Sequence, residues 1–194
     1  MILPLTRKHS FDAVFDSQGM FRLLLEAMSN PTRIMNVSEY ADRFQCDHPL
    51  LMASAATLLD NEVSFNACED QPLSDEIASL TLAKLRGIGE ADYIFVTDPR
   101  RLERAVSGAK GGTPDNPNRS ATIIFRNVGG HAGQMRFSGP GIRGTATVQA
   151  TRTMLDAVTA RDSRGLEYPE GIDMIFITDG GRMLALPRHA KAVA

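Results

Sequence analysis

The sequence predicts an α/β fold in which helices flank a mixed β-sheet. Two observations support this prediction. Early in the chain, helical segments alternate with short strand-like runs, which is typical of strands connected through helices. Towards the C-terminus, strand-like runs follow one another across Gly-Gly pairs, which is typical of antiparallel hairpins. We therefore expect parallel and antiparallel strands within a single domain over residues 1–194.

Five helices are expected from apolar periodicity and end signals. Segment 17–29 places Met20 and Leu24 at helical spacing, and it ends at Asn30-Pro31 because proline disfavours a helical residue before it. Segment 48–60 is apolar almost all round, which predicts a deeply buried helix. The other helices are expected from Ser74 to about Arg86, from Pro99 over PRRLERAV, and over 151–162 through Met154, Leu155 and Val158.

Strands are expected between these helices and after them. The earlier runs are RIMNV, EVSFNA and DYIFVTD. One hairpin is predicted from ATIIFRNV to GQMRFS across Gly129-Gly130, and a second from IDMIFITD to RMLALP near the C-terminus. Segment 108–120, GAKGGTPDNPNRS, is predicted to be a long loop, and loops of this length are usually functional or disordered.

Composition excludes several classes of protein. The net charge of −2 gives no indication of a nucleic-acid groove or of an anionic membrane surface. The start, MILPLTRKHSFD, has too short an apolar run for a secretion signal, and no stretch approaches the roughly 20 apolar residues of a membrane span. Cys46 and Cys68 are isolated, which argues against a disulfide framework or a zinc site. We expect a cytoplasmic protein without a metal.

The segment SGPGIRGTATV contains the spacing G-x-G-x-x-G, at Gly139, Gly141 and Gly144. A dinucleotide site needs a buried parallel strand before this motif and a helix after it. GQMRFS instead alternates like a half-exposed strand, and the residues after Gly144 favour a strand. Pro140 followed by Gly141 is suited to the centre of a type II turn. We interpret Gly139 to Ile142 as a turn.

Five segments together resemble a known family. FRLLLEAMSNP (21–31), LLDNEVSF (58–65), GPGI (139–142), YPEGID (168–173) and LALPRHA (184–190) occur in the order and spacing of the PhnH family, a subunit of the bacterial carbon–phosphorus lyase system. The resemblance covers nearly the whole chain. Thr32 stands where the family usually has glycine, and His189 where it usually has threonine.

The resemblance implies a role and a fold. Members of the family work with PhnG, PhnI and PhnL to displace adenine from ATP with methylphosphonate, which yields ribose 1-methylphosphonate 5-triphosphate. PhnJ, an iron–sulfur subunit, later breaks the carbon–phosphorus bond. The fold is expected to be similar to the large domain of pyridoxal-phosphate-dependent transferases, without that cofactor. A homodimer is expected for the isolated chain, and a larger complex when the partners are present.

The residues themselves agree with a chain that carries neither pyridoxal phosphate nor an iron–sulfur cluster. A pyridoxal enzyme needs a lysine for the Schiff base. Lys8 and Lys191 lie near the termini and Lys84 lies on a charged helix face, so only Lys110 in the long loop is a candidate. Two lone cysteines cannot ligate a cluster.

No catalytic residue is identified, and two roles stay open. The chain is an interaction subunit without a complete active site, or it contributes phosphate-binding residues to a shared site. Candidates for phosphate binding are Lys110, Arg119 and Arg188. Pro169, Gly171 and Asp173 are expected at a turn and the strand start that follows it. A third interpretation is a free-standing nucleotide-dependent enzyme.

The helix over 17–29 is the best candidate for an interface. Its apolar side chains cover more than one narrow stripe, and methionine-rich surfaces adapt to more than one partner. The residues concerned are Met20, Phe21, Leu24, Leu25 and Met28. The alternative is that all five point into the core, which periodicity alone leaves open.

Overall fold

The computed structural model describes residues 9–193. Residues 1–8 lie outside the described residues, and they include Lys8 and most of the segment used above to argue against a secretion signal. Within this part of the chain, the strands form two sheets. The strands are β1 (Met35–Asn36), β2 (Ser64–Asn66), β3 (Lys84–Leu85), β4 (Tyr93–Val96), β5 (Thr122–Arg126), β6 (His131–Ser138), β7 (Ala146–Thr151), β8 (Asp173–Ile177), β9 (Arg182–Leu186) and β10 (Lys191–Val193). The α-helices are α1 (Phe15–Ser29), α2 (Pro49–Leu58), α3 (Gln71–Thr81), α4 (Leu102–Gly108) and α5 (Arg152–Asp162). Short 3-10 helices cover Ser38–Arg43, Pro99–Arg101 and Pro117–Arg119.

The larger sheet is mixed, as predicted. Its strand order is β1-β9-β8-β5-β4-β2-β3. Strands β3, β2, β4, β5 and β8 run parallel to their neighbours in that order, and β9 joins β8 in an antiparallel hairpin. This confirms the α/β fold class and the C-terminal hairpin. The likeness to pyridoxal-phosphate transferases stays a prediction.

Helices cover both faces of this sheet. Buried side chains of α1, α2 and α3 form one apolar cluster, together with Phe65, Phe95 and Ile124 of the strands. Side chains of α4 and α5 form a second cluster on the opposite face, against Phe125 and Phe176. Since successive side chains of a strand point to opposite faces, the unbroken apolar runs of β4, β5 and β8 supply both clusters.

The helix predictions hold, with one correction. Helix α2 is buried as its uniform apolar character predicts. Helix α3 begins at Gln71 and ends at Thr81, whereas Ser74 to Arg86 was expected. The side chain of Asp70 accepts a hydrogen bond from the Leu73 amide, and Pro72 occupies the first turn, so these residues set the start. Leu82 ends the helix in the left-handed conformation, which leaves Lys84–Leu85 free to form β3.

The predicted hairpin across Gly129-Gly130 is wrong. Strand β5 lies inside the larger sheet between β4 and β8, whereas β6 belongs to a separate three-stranded sheet of order β10-β6-β7. The two strands differ in burial: Ile123, Ile124 and Phe125 are fully buried, while β6 alternates between exposed and covered positions. A strand buried on both faces is typical of the interior of a parallel sheet, whereas a strand buried on one face is typical of an antiparallel sheet.

No helix between residues 9 and 193 combines the length and the apolar character that crossing a bilayer requires.

Candidate functional site at the amino edge of the sheet

The parallel strands begin together at one edge of the larger sheet, which we call the amino edge. In the strand register, Phe65 lies opposite Tyr93, Tyr93 opposite Thr122, and Thr122 opposite Asp173. Because β9 runs antiparallel to β8, the segment after Leu186 returns to this same edge. The family-like segments therefore converge here, although they are far apart in the sequence.

The centre of the amino edge is an ion pair between Asp173 and Arg188. The Arg188 amide donates to Asp173 Oδ1 at 2.8 Å, and Arg188 Nη2 lies 2.5 Å from Asp173 Oδ2. Both side chains are largely covered, at 10% exposure for Asp173 and 19% for Arg188. Charge-assisted hydrogen bonds of this kind fix orientation strongly, so the pair holds the end of β9 against the start of β8.

The same arginine holds the long loop. Arg188 Nη1 donates to the carbonyl of Pro117, at the 3-10 helix of that loop. The Gly171 amide donates to Gly111 O at 2.9 Å, and a Cβ at Gly171 would lie 2.6 Å from Arg188 Cβ. Glycine at 171 thus permits the close approach, and the loop predicted at 108–120 is anchored to the edge.

The three predicted phosphate-binding residues are not brought together as free cations. Lys110 Nζ lies 2.5 Å from Asp92 Oδ1 and also donates to Glu90 O. Burial alone would raise the pKa of Asp92, but hydrogen bonds from Lys110 and Ser64 outweigh it and leave that pKa below its usual value. Among described residues, Arg119 alone of the three is exposed and makes no side-chain hydrogen bond or ion pair.

The Gly139–Ile142 segment is a turn. The Ile142 amide donates to Gly139 O at 3.1 Å, and Gly141 has φ +79°. A Cβ at Gly141 would lie 2.6 Å from Pro31 Cδ, and one at Gly139 would lie 2.3 Å from His189 O. The strand before the turn is antiparallel to β7, so the parallel strand that a dinucleotide site needs is not there.

The turn therefore packs on the segments that hold the two departures from the family pattern. Thr32 has φ +76°, a conformation that β-branched residues rarely adopt and glycine adopts freely. The His189 ring contacts Tyr168 with centroids 4.9 Å apart. Burial and the neighbouring Arg188 hold the pKa of His189 below its usual value. Tyr168 and Pro169 are joined by a cis peptide bond.

A buried arginine that the sequence analysis did not single out lies beside this cluster. Arg161, at 5% side-chain exposure, donates from Nη2 to Ala190 O at 2.7 Å and from Nε to Asp162 at 3.1 Å. Its Nη1 has no hydrogen-bond partner among described residues. Arg161 lines a cavity of about 410 Å³ together with Arg188 and Lys191. Spacing could have found it, because Arg161 follows Met154 and Val158 on the buried face of α5.

Helix α1 divides the predicted interface residues between two environments. Met20 and Leu24 are buried in the core, and Met28 is partly buried against it. Phe21 and Leu25 are 49% and 55% exposed. The core alternative thus holds for the first three, while the latter two are available to a partner.

Comparisons with known proteins agree with the resemblance. A family model described as "Bacterial phosphonate metabolism protein (PhnH)" matches residues 9–193. The chain belongs to the PhnH family. It is also 28% identical over 178 residues to a protein of Stutzerimonas stutzeri described as "Putative C-P lyase subunit protein HtxG", an alignment that covers 88% of this chain and 83% of that protein. Membership of the PhnH family assigns the chain to bacterial phosphonate metabolism.

Proposed function

We propose that this chain is a non-autonomous subunit of a cytoplasmic carbon–phosphorus lyase complex. With PhnG, PhnI and PhnL it takes part in displacing adenine from ATP by methylphosphonate, which yields ribose 1-methylphosphonate 5-triphosphate for PhnJ. The PhnH family match over residues 9–193 supports this role, and so does the relative whose name describes a C–P lyase subunit.

The accessory role is supported by the ion pairs at the amino edge, where the charged side chains bind one another. Arg188 and Asp173 neutralise each other, and Arg188 also donates to the backbone of the long loop. Lys110 is likewise paired with Asp92. These groups lock loops together, which suits a surface for partner subunits better than an active site that needs unpaired acids or bases.

The chain works without pyridoxal phosphate or an iron–sulfur cluster of its own. Lys110, the one candidate for a Schiff base, donates to Asp92 Oδ1 and to the Glu90 carbonyl, so its amino group is engaged by these contacts, whereas a Schiff-base lysine must be free to attack an aldehyde. A visible absorbance band in the purified protein that disappears in Lys110→Ala would overturn this part of the proposal.

A second role has support from two observations. Arg119 is exposed, and Arg161 Nη1 has no hydrogen-bond partner within residues 9–193 and lies beside a cavity that Arg188 and Lys191 also line. Arginine forks suit phosphate oxygens. In this alternative the chain contributes arginine side chains to an active site that it shares with another subunit.

Reconstitution tests both roles. PhnG, PhnI and PhnL are mixed with and without this chain, and adenine release from ATP and methylphosphonate is followed. We expect release only when the chain is present and none from the chain alone. Release by the isolated chain would establish a free-standing enzyme, and equal release without the chain would overturn the subunit role.

A matched pair of variants separates the two roles. Arg119→Gln is compared with Arg22→Gln, which alters an exposed arginine on α1. If the chain is purely an interaction subunit, both variants enter the complex and support wild-type release. If it lends Arg119 to the site, Arg119→Gln enters the complex and raises KM for ATP or methylphosphonate, while Arg22→Gln does not.

A further inference from the structure

The opposite edge of the sheet, which we call the carboxyl edge, contains a topological switch point. The connection from β2 to β3 runs through α3 on one face, and the connection from β4 to β5 runs through α4 on the other. Strands β2 and β4 are neighbours and parallel. Loops leaving two such strands diverge to opposite faces and leave a crevice, where open α/β sheets most often bind ligands.

A cavity is present at this point. It has a volume of about 250 Å³ and lies between the turn after β2, the loop after β3 and the segment after β4. A second groove of about 420 Å³ adjoins it and shares Asn66, Glu69 and Gly87. The Asn66 side chain donates to Arg86 O at 2.6 Å, which ties the first two loops together. The groove is within the range of roughly 300–1,000 Å³ that is typical of ligand pockets, and the cavity is slightly below it.

The backbone at the mouth of the crevice is strained. Cys68 and Glu69 have φ +49° and +67°, and the Asp70 amide closes the turn on Ala67 O at 3.0 Å. Two consecutive non-glycine residues in the left-handed region are disfavoured for L-amino acids. Strain of this kind persists where surrounding structure enforces it, and it concentrates at ligand-binding sites. Here it directs the Glu69 segment into the crevice.

The charged groups of the crevice are arranged around one carboxylate. Arg101 Nη1 lies 2.6 Å from Glu69 Oε2, and Arg104 Nη1 binds Glu69 Oε1. All three side chains are about half exposed, from 45% to 64%. Burial raises the pKa of the Cys68 thiol to about 11, so this lining group is uncharged at neutral pH.

Two guanidinium groups that bind one carboxylate indicate which kind of ligand the crevice could bind. Arginine forks bind carboxylate and phosphate oxygens in the same geometry. Arg86 lines the adjoining groove, so the two cavities together contain three arginines against Glu69 and Glu90. When Glu69 is not counted, three arginines face Glu90 alone, so the charged side chains that line the two cavities have a net charge of +2.

We propose that the crevice between β2 and β4 binds a small organic oxyanion, a phosphate or a carboxylate, on Arg101 and Arg104. Without ligand, Glu69 occupies the two guanidinium groups as an internal anion. The ligand binds in its place, and the strained turn carries Glu69 away from the arginines. This site is independent of the amino edge and of the proposed subunit role, which stands whether or not the site exists.

Calorimetric titration of the full-length chain tests the proposal, in a buffer without competing oxyanions. The probes are inorganic phosphate, glycerol 3-phosphate and succinate, which separate a phosphate preference from a carboxylate preference. We expect at least one probe to bind. Glu69→Gln removes the competing charge and is expected to tighten binding by about fivefold. Arg101→Gln and Arg104→Gln are each expected to weaken it by about fivefold or more.

Arg100→Gln is the matched control. Arg100 is in the same segment but pairs with Asp98, is 88% exposed and does not line the crevice. Its substitution should leave the affinity unchanged. Thermal melts of each variant establish that it is folded. The proposal is overturned if no probe binds with a Kd of about 10 mM or lower, if Glu69→Gln weakens binding, or if Arg100→Gln weakens binding as much as Arg104→Gln.

Discussion

At the amino edge of the sheet, Arg188 is four-fifths buried, and its guanidinium donates both to Asp173 and to the carbonyl of Pro117 in the long loop. At the carboxyl edge, Arg101 and Arg104 are about half exposed and share a single carboxylate on a strained turn beside a cavity. The family-like motifs all meet the first edge. The difference shows that the recognisable sequence segments lie where this fold locks its loops around Arg188, while the crevice at the carboxyl edge carries none of those motifs.

The largest difference between the two edges is expected from removing one carboxylate at each. Asp173→Ala leaves Arg188 buried without its partner and should destabilise the protein by about 3–5 kcal/mol. Glu69→Ala breaks partly exposed pairs and should cost about 1 kcal/mol or less. Urea denaturation measures both. Equal losses in the two variants would show that the edges do not differ in this way.

The next largest effect on stability is expected at Gly141, where a comparison with Gly144 separates the cost of close packing from the cost of backbone conformation. Gly141 and Gly144 have nearly the same φ, +79° and +74°, but a Cβ at Gly141 would lie 2.7 Å from Ser29 O, whereas one at Gly144 would meet nothing within 4 Å. Both alanine variants carry the conformational penalty of more than about 1 kcal/mol. Gly141→Ala should lose about 1–3 kcal/mol more than Gly144→Ala, because the turn must move away from the α1 segment.

Thermal or urea unfolding of the two alanine variants gives this comparison directly. Equal losses would mean that the turn moves freely and does not pack on Ser29 and Pro31. An unchanged stability for Gly141→Ala, together with loss of nucleotide binding, would restore the phosphate-cradle interpretation of this segment.

The sequence predicts the fold class because periodicity and end signals are local. It also contained the evidence against the wrong hairpin: IIF in β5 is continuously apolar, whereas QMRF in β6 alternates. This change of period is a stronger signal than the Gly-Gly pair, because it indicates how many faces of each strand are buried. The start of α3 was misplaced for a similar reason, since Asp70 with Pro72 is a stronger start signal than Ser74.

The site was less predictable because it depends on strand register. Asp173 and Arg188 meet only when β9 folds back on β8, and Pro117 joins them from a loop many residues earlier. No local pattern encodes that three-way contact. The crevice between β2 and β4 depends on strand order, which periodicity and end signals do not encode because they are local.

A smaller effect is expected at Thr32, where the chain departs from the family pattern. Thr32→Gly removes the penalty of a β-branched residue at φ +76° and should stabilise the protein by about 1 kcal/mol. Leu82→Gly is the control, since Leu82 has φ +60° at the exposed end of α3 and is not β-branched, so its gain should be smaller. Melting curves of both variants provide the test. A loss of stability in Thr32→Gly would show that threonine side-chain contacts outweigh the backbone strain.

The smallest effect on folding is expected on the exposed face of α1, where we predict an effect on association instead. Phe21 and Leu25 fall on one side of α1 at about 100° per residue and are 49% and 55% exposed, and the N-cap residue Val14 is 68% exposed. Surface substitutions usually change stability by about 0.5 kcal/mol or less. The double variant Phe21→Ser with Leu25→Ser should therefore fold normally and lose the proposed homodimer.

Sedimentation at several protein concentrations decides this last point. The wild type should be a dimer at about 10 µM and above, and its melting temperature should rise with concentration because association favours the folded state. The double variant should sediment as a monomer with a concentration-independent melt, while Arg22→Ser, on the same helix, should behave as the wild type. A monomeric wild type would remove the homodimer. An intact dimer in the double variant would keep the homodimer but move its interface away from α1, so that this face would be left for the other subunits of the complex.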